Sequence, residues 1–488
     1  MGMEGRHIAA IDLGTSKTAL TVAEINGDDM QILYYRRLPS KGIRYSYVLN
    51  SGQAADVVRT LVADAEKELD IKITRTIVGM PKYSVRQETG RGNLKRSPDK
   101  CISEDEVNDL KRMSLDSYPL TNPETEEIFG AVAQSFSSGD EIGLTENDII
   151  GVSSDVLEGN FKIFIGKKRH LHNIDMIFKE LGIDVVQKCF TPDSTAKAIL
   201  TQGEMDNGVA LVDFGAGVTS VTVYYRNIMR HYAAIPFGGN AVTSDIKGEC
   251  LIPEEYAEYI KKVYGGCMPD RLQGIGEKTL HISSGSAAPD TQVPVKFLSE
   301  IITARMKEII DAILYEIQQS GFADNLKSGI VITGGGAALI NCGNYIKELS
   351  GYDVRTGCAR HFFSASGYEN IYDSDATVSA GMVLMAKNNR IPECVLAAGE
   401  EAMPEIDIKI DGDHGADTIS GTGEETAEDV EEEETVFDNP IPDKPKKERT
   451  KKQRKVIWER ISEQVGKAGE KFGGLFKEIY EGMDNEEV

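Results

Sequence analysis

The sequence predicts an α/β protein with a duplicated core and a C-terminal tail that does not fold with it. Residues 8–25 and 209–225 share one plan, in which an apolar run ends in Asp, a glycine-containing turn follows, and a second strand returns. Residues 329–339, GIVITGGGAAL, are a third apolar run that opens into three glycines. Beyond residue 398 the composition becomes acidic and aperiodic. With 488 residues, the chain is long enough for two or more domains.

The first hairpin combines the groups that bind a phosphate. Its first strand ends at Asp12, and its turn contains Gly14, Thr15, Ser16 and Lys17. Backbone N–H groups, hydroxyls and an ammonium suit a phosphate, whereas a carboxylate repels one unless a divalent cation lies between them. The stretch therefore indicates a Mg²⁺–nucleotide site, although taken alone it fits an ordinary β-hairpin equally well.

The second hairpin and the triple glycine extend this candidate site. Facing the first hairpin, the second would hold a polyphosphate from the opposite side, and its Asp would hold Mg²⁺ together with Asp12, mainly through water. Three consecutive glycines allow the backbone to approach a flat ligand closely because they have no Cβ. The candidate residues in these two stretches are Asp213, Gly215, Gly217, Thr219, Gly334, Gly335 and Gly336.

Three motifs resemble the superfamily of actin, Hsp70 and sugar-kinase ATPases. Asp12-Leu-Gly-Thr, Asp213-Phe-Gly-Ala-Gly and Thr333-Gly-Gly-Gly look like its phosphate-1, phosphate-2 and adenosine motifs. Residues 235–246, IPFGGNAVTSDI, are similar to the FtsA family of bacterial cell-division proteins, and the resemblance covers most of residues 6–390. It implies two actin-like lobes of ribonuclease-H-like fold, two small inserted subdomains, and ATP with Mg²⁺ as ligands.

The pattern along the chain fits that division. Residues 52–69 have helical spacing, and 75–79 are typical of a short strand. Residues 83–160 are polar, with one evident helix that begins at a capping box of Ser103 and Glu106. Strand and helix patterns resume with a strand at 160–166, a helix at 171–181 and a strand at 183–186, and residues 295–321 have the spacing of a long helix. The implied units are 5–82 with 161–200 and 378–398 (lobe 1A), 83–160 (subdomain 1C), 201–246 with 326–377 (lobe 2A), 247–325 (subdomain 2B), 399–443 (acidic disordered linker), 444–455 (basic segment) and 456–481 (amphipathic helix).

A helix that begins after Phe190 lies where the superfamily positions the attacking water. Asp193 and Ser194 in its first turn are weak catalytic candidates, since Asp and Ser at a helix start more often act as N-caps. The glutamine that actin uses in this region is not evident. We therefore expect slow or negligible hydrolysis, and the catalytic residue stays unknown.

A second helix, 253–265, has a glutamate and two lysines one turn apart. These residues form a surface ion pair, or they contact ribose and adenine, which the resemblance favours because Hsp70-like proteins have Glu and Lys at this point. The glycine pair of the IPFGGN phrase is also implied to contact the nucleotide. The residues concerned are Gly238, Gly239, Asn240, Glu258, Lys261 and Lys262.

Charge and composition exclude several classes of protein. The net charge of −24 argues against general nucleic-acid binding. Residues 399–443 hold 17 Asp and Glu and one Lys, a net −16, which predicts a self-repelling spacer. Seven scattered cysteines without a C-x-x-C pair are typical of a reducing cytoplasm. Because the chain starts with polar residues, we expect no signal peptide. Because no run of 18 apolar residues occurs, we expect no membrane-spanning helix.

The end of the chain has the pattern of a membrane anchor. Residues 444–455 contain eight basic residues and one acid. At about 100° per residue, the apolar residues that follow occupy one helix face, opposite charged ones. This face would dock on the protein itself or, as the polybasic lead-in and the spacer favour, on anionic membrane lipids. It comprises Ile457, Trp458, Ile461, Val465, Phe472, Leu475, Phe476 and Ile479.

Two function classes compete. The resemblance implies an ATP-binding adaptor at the cytoplasmic face of the cell membrane, at the division septum. It would hold the C-terminal tail of the tubulin-like polymer protein FtsZ through subdomain 2B, form filaments with itself, and meet other division proteins. The alternative is a small-molecule kinase or phosphohydrolase of the same superfamily. Such an enzyme needs a positioned carboxylate base, and the sequence offers no convincing one.

Overall fold

A computed structural model describes residues 5–97, 99–139, 141–282, 291–360 and 362–397. The acidic linker, the basic segment and the amphipathic helix predicted for the tail lie outside the described residues.

The first lobe begins with three strands, because apolar β-branched runs alternate with short turns. The helix that follows begins at Asn50, whose side chain accepts a hydrogen bond from the backbone N–H of Gln53 at 3.0 Å. Its apolar residues recur on one face and are buried. This part contains β1 (Arg6–Leu13), β2 (Lys17–Asn26), β3 (Asp29–Pro39), β4 (Ile43–Arg44), β5 (Tyr47–Val48), α1 (Ser51–Leu69), β6 (Ile71–Ile73) and β7 (Arg75–Gly79).

The inserted subdomain is an antiparallel sheet with a helix packed on it. The predicted capping box is present, since Ser103 Oγ accepts from the N–H of Glu106 at 3.2 Å and Glu106 Oε2 accepts from the N–H of Ser103 at 2.9 Å. Its elements are β8 (Arg86–Lys95), α2 (Glu104–Asp116), β9 (Glu126–Ser138), β10 (Glu141–Leu144), α3 (Glu146–Ile149) and β11 (Val156–Lys167), with sheet order β10-β9-β11-β8.

Strand β11 corrects one predicted boundary. It pairs with β8 and β9 along its length, from Val156 to Lys167. The strand expected at 160–166 therefore belongs to the inserted sheet and not to the first lobe, and a boundary at residue 160 falls inside it. The apolar pattern of a strand shows which face is buried, but it does not show which strands lie beside it.

The chain then returns to the first lobe. The next elements are α4 (Lys168–Leu181), β12 (Asp184–Cys189), α5 (Thr191–Ile199) and α6 (Gln202–Asn207). The first-lobe sheet has the order β12-β7-β1-β2-β3, with β12, β7 and β1 parallel and the hairpin strands antiparallel.

The second lobe and its small subdomain follow, and the last helix and the last strand of the described chain return to the first lobe. Helix α7 crosses residue 246, so the predicted start of the subdomain at 247 falls inside a helix. The elements are β13 (Val209–Phe214), β14 (Thr219–Tyr225), β15 (Ile228–Ile235), α7 (Gly239–Cys250), α8 (Glu254–Tyr264), β16 (Thr279–Ile282), β17 (Thr291–Pro294), α9 (Val295–Gln319), β18 (Ile330–Thr333), α10 (Cys342–Ser350), β19 (Val354–Thr356), α11 (Thr377–Asn388) and β20 (Val395–Ala397).

The two lobes repeat one sheet design. The second sheet has the order β15-β14-β13-β18-β19, so that β13, β14, β15, β18 and β19 correspond to β1, β2, β3, β7 and β12. Even the hairpin registers agree, since Asp12 pairs with Ala19 and Asp213 with Ser220. The duplicated actin-like α/β fold predicted from the sequence is confirmed.

Helix α11 connects back to the first lobe and packs closely on α5. A Cβ added at Gly381 would lie 2.6 Å from the carbonyl oxygen of Ser194, so the close contact of these helices requires glycine. Strand β20 pairs with β6, and all seven cysteines are free thiols. No helix among the described residues is long and apolar enough to cross a bilayer.

Candidate nucleotide site

The turns of the two hairpins face each other, as the sequence predicted. A Cβ added at Gly217 would lie 2.9 Å from Cγ2 of Thr15, closer than two carbon atoms pack, so a side chain there would displace Thr15. Both turns are closed by the same bond. The N–H of Gly14 donates to the carbonyl of Lys17 at 3.0 Å, and that of Gly215 donates to Val218 at 3.0 Å. The duplication thus brings two equivalent turns to one point between the lobes.

The two aspartates lie at the same place in their strands, one residue before the end. Asp213 is buried, with 8% of its surface exposed, and its Oδ2 lies 2.5 Å from Nζ of Lys82. Burial raises the pKa of Asp12, against the attraction of Lys82 and Lys17. Burial lowers the pKa of Lys82, but attraction to Asp213 and Asp12 outweighs it and raises that pKa overall. The ammonium of Lys82 therefore partly neutralises the charge of both carboxylates.

Lys82 was missed by the sequence analysis, although the duplication contains a signal for it. It lies just after β7, which runs parallel to β1, and the triple glycine lies just after β18, which runs parallel to β13. The loop at Lys82 is therefore the first-lobe counterpart of the glycine loop. Side chains that follow parallel strands meet at one edge of a sheet, which is where α/β proteins bind ligands.

The glycine loop packs directly on the second aspartate. Gly334 has φ +83°, and a Cβ added there would lie 2.5 Å from Oδ1 of Asp213. A Cβ at Gly336 would meet Cβ of Phe214 at 2.7 Å, whereas Gly335 has no atom within 4 Å of its added Cβ. Two of the three glycines are therefore required by packing, and Gly335 faces open space.

Lys17 is paired with Asp375, which precedes α11. Its Nζ lies 2.7 Å from Oδ2 of Asp375, and it also donates to the backbone carbonyl of that residue at 2.6 Å. Burial lowers the pKa of Lys17 in spite of this pairing. The predicted phosphate ligand thus lies in the first turn but is held by a carboxylate.

The predicted helix residues lie beside the second turn. The N–H of Gly239 donates to Gly215 at 3.0 Å, and that of Asn240 donates to Ala216 at 2.8 Å. A Cβ at Gly238 would collide with the carbonyl oxygen of Gly215. These contacts fix the start of α7 against the second turn.

Lys261 links α8 to the same place. Its Nζ donates to the carbonyl of Gly239 at 2.9 Å and lies 2.6 Å from Oε2 of Glu258, whose other oxygen lies 3.1 Å from Lys262. Lys261 is buried, so the alternative of a simple surface pair does not describe it. Burial lowers the pKa of Lys261. Burial alone would raise the pKa of Glu258, but its contacts with Lys261, Thr243 and Lys262 outweigh burial, so the pKa of Glu258 is lowered.

Three predicted site residues have other roles in the structure. Thr219 is fully buried and donates to the carbonyl of Phe237 at 2.8 Å, which supports the turn from behind. The N-cap of α5 is Phe190, so neither Asp193 nor Ser194 is the cap. Asp193 instead accepts from the hydroxyl of Tyr224 at 2.9 Å and pairs with Lys197 at 2.8 Å.

Ser194 is buried with 2% of its surface exposed, and its hydroxyl donates to the carbonyl of Thr191 at 3.1 Å. Both weak catalytic candidates are thus engaged within the protein.

The donor set fits a divalent cation held largely through water. No group of three or more His, Cys, Asp or Glu residues that could hold a metal occurs in the described part of the chain. Mg²⁺ typically takes one or two carboxylates together with waters and substrate phosphates. The pair Asp12 and Asp213 matches that need, and the ammonium of Lys82 already lies at this point as a positive charge.

Comparison with known proteins gives three related findings. Residues 210–381 match the family model described as cell division protein FtsA. The chain is 32% identical over 361 residues to the cell division protein FtsA of Neisseria meningitidis, covering 73% of this chain and 85% of that protein. It is 26% identical over 405 residues to that of Bacillus subtilis, covering 82% and 88%.

Among solved structures, the PilM–PilN type IV pilus biogenesis complex contains a chain of similar fold. The TM-score is 0.55 at 12% identity, and the match covers 79% of this chain and 99% of that one. At this identity the likeness concerns the fold alone.

Proposed function

Because the chain belongs to the FtsA family of cell-division proteins, we propose that it binds Mg²⁺·ATP between its lobes and tethers FtsZ polymers to the cytoplasmic membrane. An actin-like cell-division protein is what the family membership establishes. Nucleotide binding and membrane tethering are our extension of it.

The opposed hairpin turns are the observation that carries the nucleotide proposal. Their backbone N–H groups, the hydroxyls of Thr15 and Ser16, and the ammonium of Lys17 suit polyphosphate oxygens. Asp12 and Asp213 would hold Mg²⁺ through its water shell. A metal held there would neutralise part of the phosphate charge beside these carboxylates.

The adenosine end is supported by different residues. The loop 334–336 lies directly against Asp213, and Gly335 leaves open space for a flat base or ribose. Across from this loop, Lys261 bonds to the carbonyl of Gly239 and to Glu258, next to the second hairpin turn. A nucleotide spanning from the turns to the glycine loop would therefore contact both lobes.

We expect slow or negligible hydrolysis, with the nucleotide controlling assembly. The two weak catalytic candidates, Asp193 and Ser194, are bonded to Tyr224, Lys197 and Thr191. A general base must lie within hydrogen-bond reach of the attacking water, and the hydroxyl of Ser194, a residue with 2% of its surface exposed, is closed off from solvent. By family resemblance the monomers would stack head to tail, a heterologous contact that does not close and so produces filaments.

The membrane proposal depends on the sequence of the tail, and the FtsZ proposal on the family. The apolar face from Ile457 to Ile479 and the basic segment 444–455 suit an anionic surface. Subdomain 2B would hold the FtsZ C-terminal tail.

The test is recruitment of FtsZ to vesicles. Full-length protein with Mg²⁺·ATP is mixed with anionic vesicles and purified FtsZ, and the vesicles are floated. We expect FtsZ to float only when the protein is present, and to lose this on removal of the FtsZ C-terminal tail. If the protein floats but the added FtsZ does not float with it, the tether is refuted. Turnover of a small acceptor at about 1 s⁻¹ or faster would favour the kinase alternative.

A further inference from the structure

Asp375 holds the lysine that the nucleotide site needs. Nζ of Lys17 lies 2.7 Å from its carboxylate and 2.6 Å from its backbone oxygen. An ammonium has three donors, and two of them are used here. A phosphate that binds at the first turn can take the third donor, but it must compete with Asp375 for the other two.

A second cation makes this exchange feasible. The NH1 group of Arg37, on β3, donates to both carboxylate oxygens of Asp375 at 2.7 Å each. Removing one partner of a buried ion pair is costly because it leaves a charge unbalanced. Asp375 would retain Arg37 when Lys17 moves, so the exchange leaves no unpaired carboxylate.

The position of Asp375 also connects the two ends of the site. Its neighbour Ser374 accepts, at its carbonyl, the N–H of Gly334 at 2.9 Å and the hydroxyl of Thr333 at 2.9 Å. The same short segment thus holds the phosphate lysine by a side chain and the glycine loop by its backbone.

We propose that Asp375 competes with nucleotide phosphates for Lys17 and thereby limits the affinity of the site for phosphate-bearing ligands. The inference rests on the proposed nucleotide site. It assigns Asp375 an inhibitory role as a counter-ion, opposite to that of a residue that positions Lys17 for the phosphate.

The first test is the affinity for Mg²⁺·ATP of the full chain with Asp375→Asn, measured by titration calorimetry. We expect binding to tighten by roughly three- to tenfold, the effect of a partly exposed ion pair. The matched control is Asp373→Asn, which removes the same charge two residues away. Asp373 lies 4.0 Å from Arg37 and its side chain is 57% exposed, so this change should leave the affinity nearly unchanged.

A double-mutant cycle isolates the path through Lys17. Lys17→Gln alone should weaken binding, and adding Asp375→Asn to it should bring no gain. An equal gain with and without Lys17, or weaker binding in Asp375→Asn, would overturn the inference.

If Asp375→Asn fails to fold, the affinity of Arg37→Gln for Mg²⁺·ATP is an independent test. Without Arg37, the carboxylate has Lys17 as its remaining close cation among the contacts described above, and it should hold Lys17 more strongly. We expect weaker Mg²⁺·ATP binding, and unchanged or tighter binding would refute the inference. If the wild-type chain itself does not bind Mg²⁺·ATP, the proposed function fails; if it binds and the cycle shows no coupling, only the role of Asp375 fails.

Discussion

At the scale of single residues, the glycine loop separates packing from ligand contact. Gly334 and Gly336 lie against Asp213 and Phe214, so a side chain at either would disturb the fold. Gly335 has an ordinary φ and open space around its added Cβ. A substitution at Gly335 therefore reports on the ligand site with little change in the protein.

We predict that Gly335→Asp weakens Mg²⁺·ATP binding by at least about tenfold, because a carboxylate fills the adenosine approach and repels the phosphates. Titration calorimetry measures the effect. Gly203→Asp is the matched control, since Gly203 is also exposed and open but lies on α6, which bonds to the chain at the far end of β14 from the second hairpin turn. Equal affinities of the two variants would place the nucleoside elsewhere.

Lys82 leads to a second prediction at this scale. Its side chain and that of Asp213 are only 16% and 11% exposed, so Lys82→Met leaves a buried carboxylate without its cation. We expect the free energy of unfolding to fall by roughly 3–5 kcal/mol without ligand. Millimolar Mg²⁺ should restore part of this loss in the variant and change the wild type little, which thermal unfolding with and without the metal measures. If the variant is as stable as wild type, Lys82 is not needed to balance the buried charge of Asp213.

The residue scale also shows where prediction from sequence stops. Asp12, Lys17 and Asp213 could be proposed as site residues from the sequence because each belongs to a local strand-and-turn pattern. Lys82 and Asp375 were not, because their importance comes from sheet pairing and from a contact with a residue far away in the chain. Such contacts depend on the folded topology and leave no periodic signal.

At the scale of elements, hairpins and long helices were predicted well because their residues interact at short separations. The hairpins β1–β2 and β13–β14 and the helices α1 and α9 agree with their apolar patterns. Strand β11 was predicted as a strand but assigned to the wrong sheet, since neighbouring strands come from distant segments.

The edge of the first lobe gives a pH prediction. His7 on β1 lies 3.2 Å from Glu393, just before β20, and the hydrogen bond to Glu393 raises the pKa of His7 although burial opposes it. A raised pKa in the folded state stabilises the fold below the unfolded value of about 6.5, and the gain is lost as pH rises through the folded value.

We therefore expect His7→Gln to lower the melting temperature more at about pH 5.5 than at about pH 8.5. The side chains are 31% and 41% exposed, so solvent screening keeps the effect below about 1 kcal/mol. The backbone N–H of His7 also donates to Glu393 at 2.9 Å, a bond that the variant keeps. A loss that is equal at both pH values would mean that the ring acts by packing and not by charge.

At the scale of the whole molecule, the duplication explains why the candidate site lies between the lobes. Each lobe supplies one aspartate at the end of an equivalent strand, and Lys82 of the first lobe pairs with Asp213 of the second. Lys17 and Asp375 also join segments that are far apart in the chain. These two ion pairs thus lie at the position where the proposed ligand would contact both lobes.

The tail leads to the last prediction, which follows from its sequence. The apolar face should insert at the headgroup boundary, with Trp458, Phe472 and Phe476 contributing most. Each large side chain that is buried gains roughly 1.5–3 kcal/mol before ordering costs. Four glycines between residues 466 and 474 raise the cost of forming the helix, so it alone should bind modestly. The basic segment 444–455 should add about 1 kcal/mol per basic residue close to an anionic surface.

Deleting residues 456–488 should therefore abolish flotation with anionic vesicles and leave the calorimetric affinity for Mg²⁺·ATP unchanged. Reversing the charges of 444–455 should weaken attachment mainly at low ionic strength, because salt screens exposed charges. A point variant tests the apolar face separately. Trp458→Glu removes the largest apolar contact but keeps the basic segment, so this variant should also fail to float. Since the acidic linker is repelled by the same anionic surface, it should hold the lobes away from the bilayer. Flotation of the truncated chain at the wild-type level would mean that the attachment lies in another part of the protein.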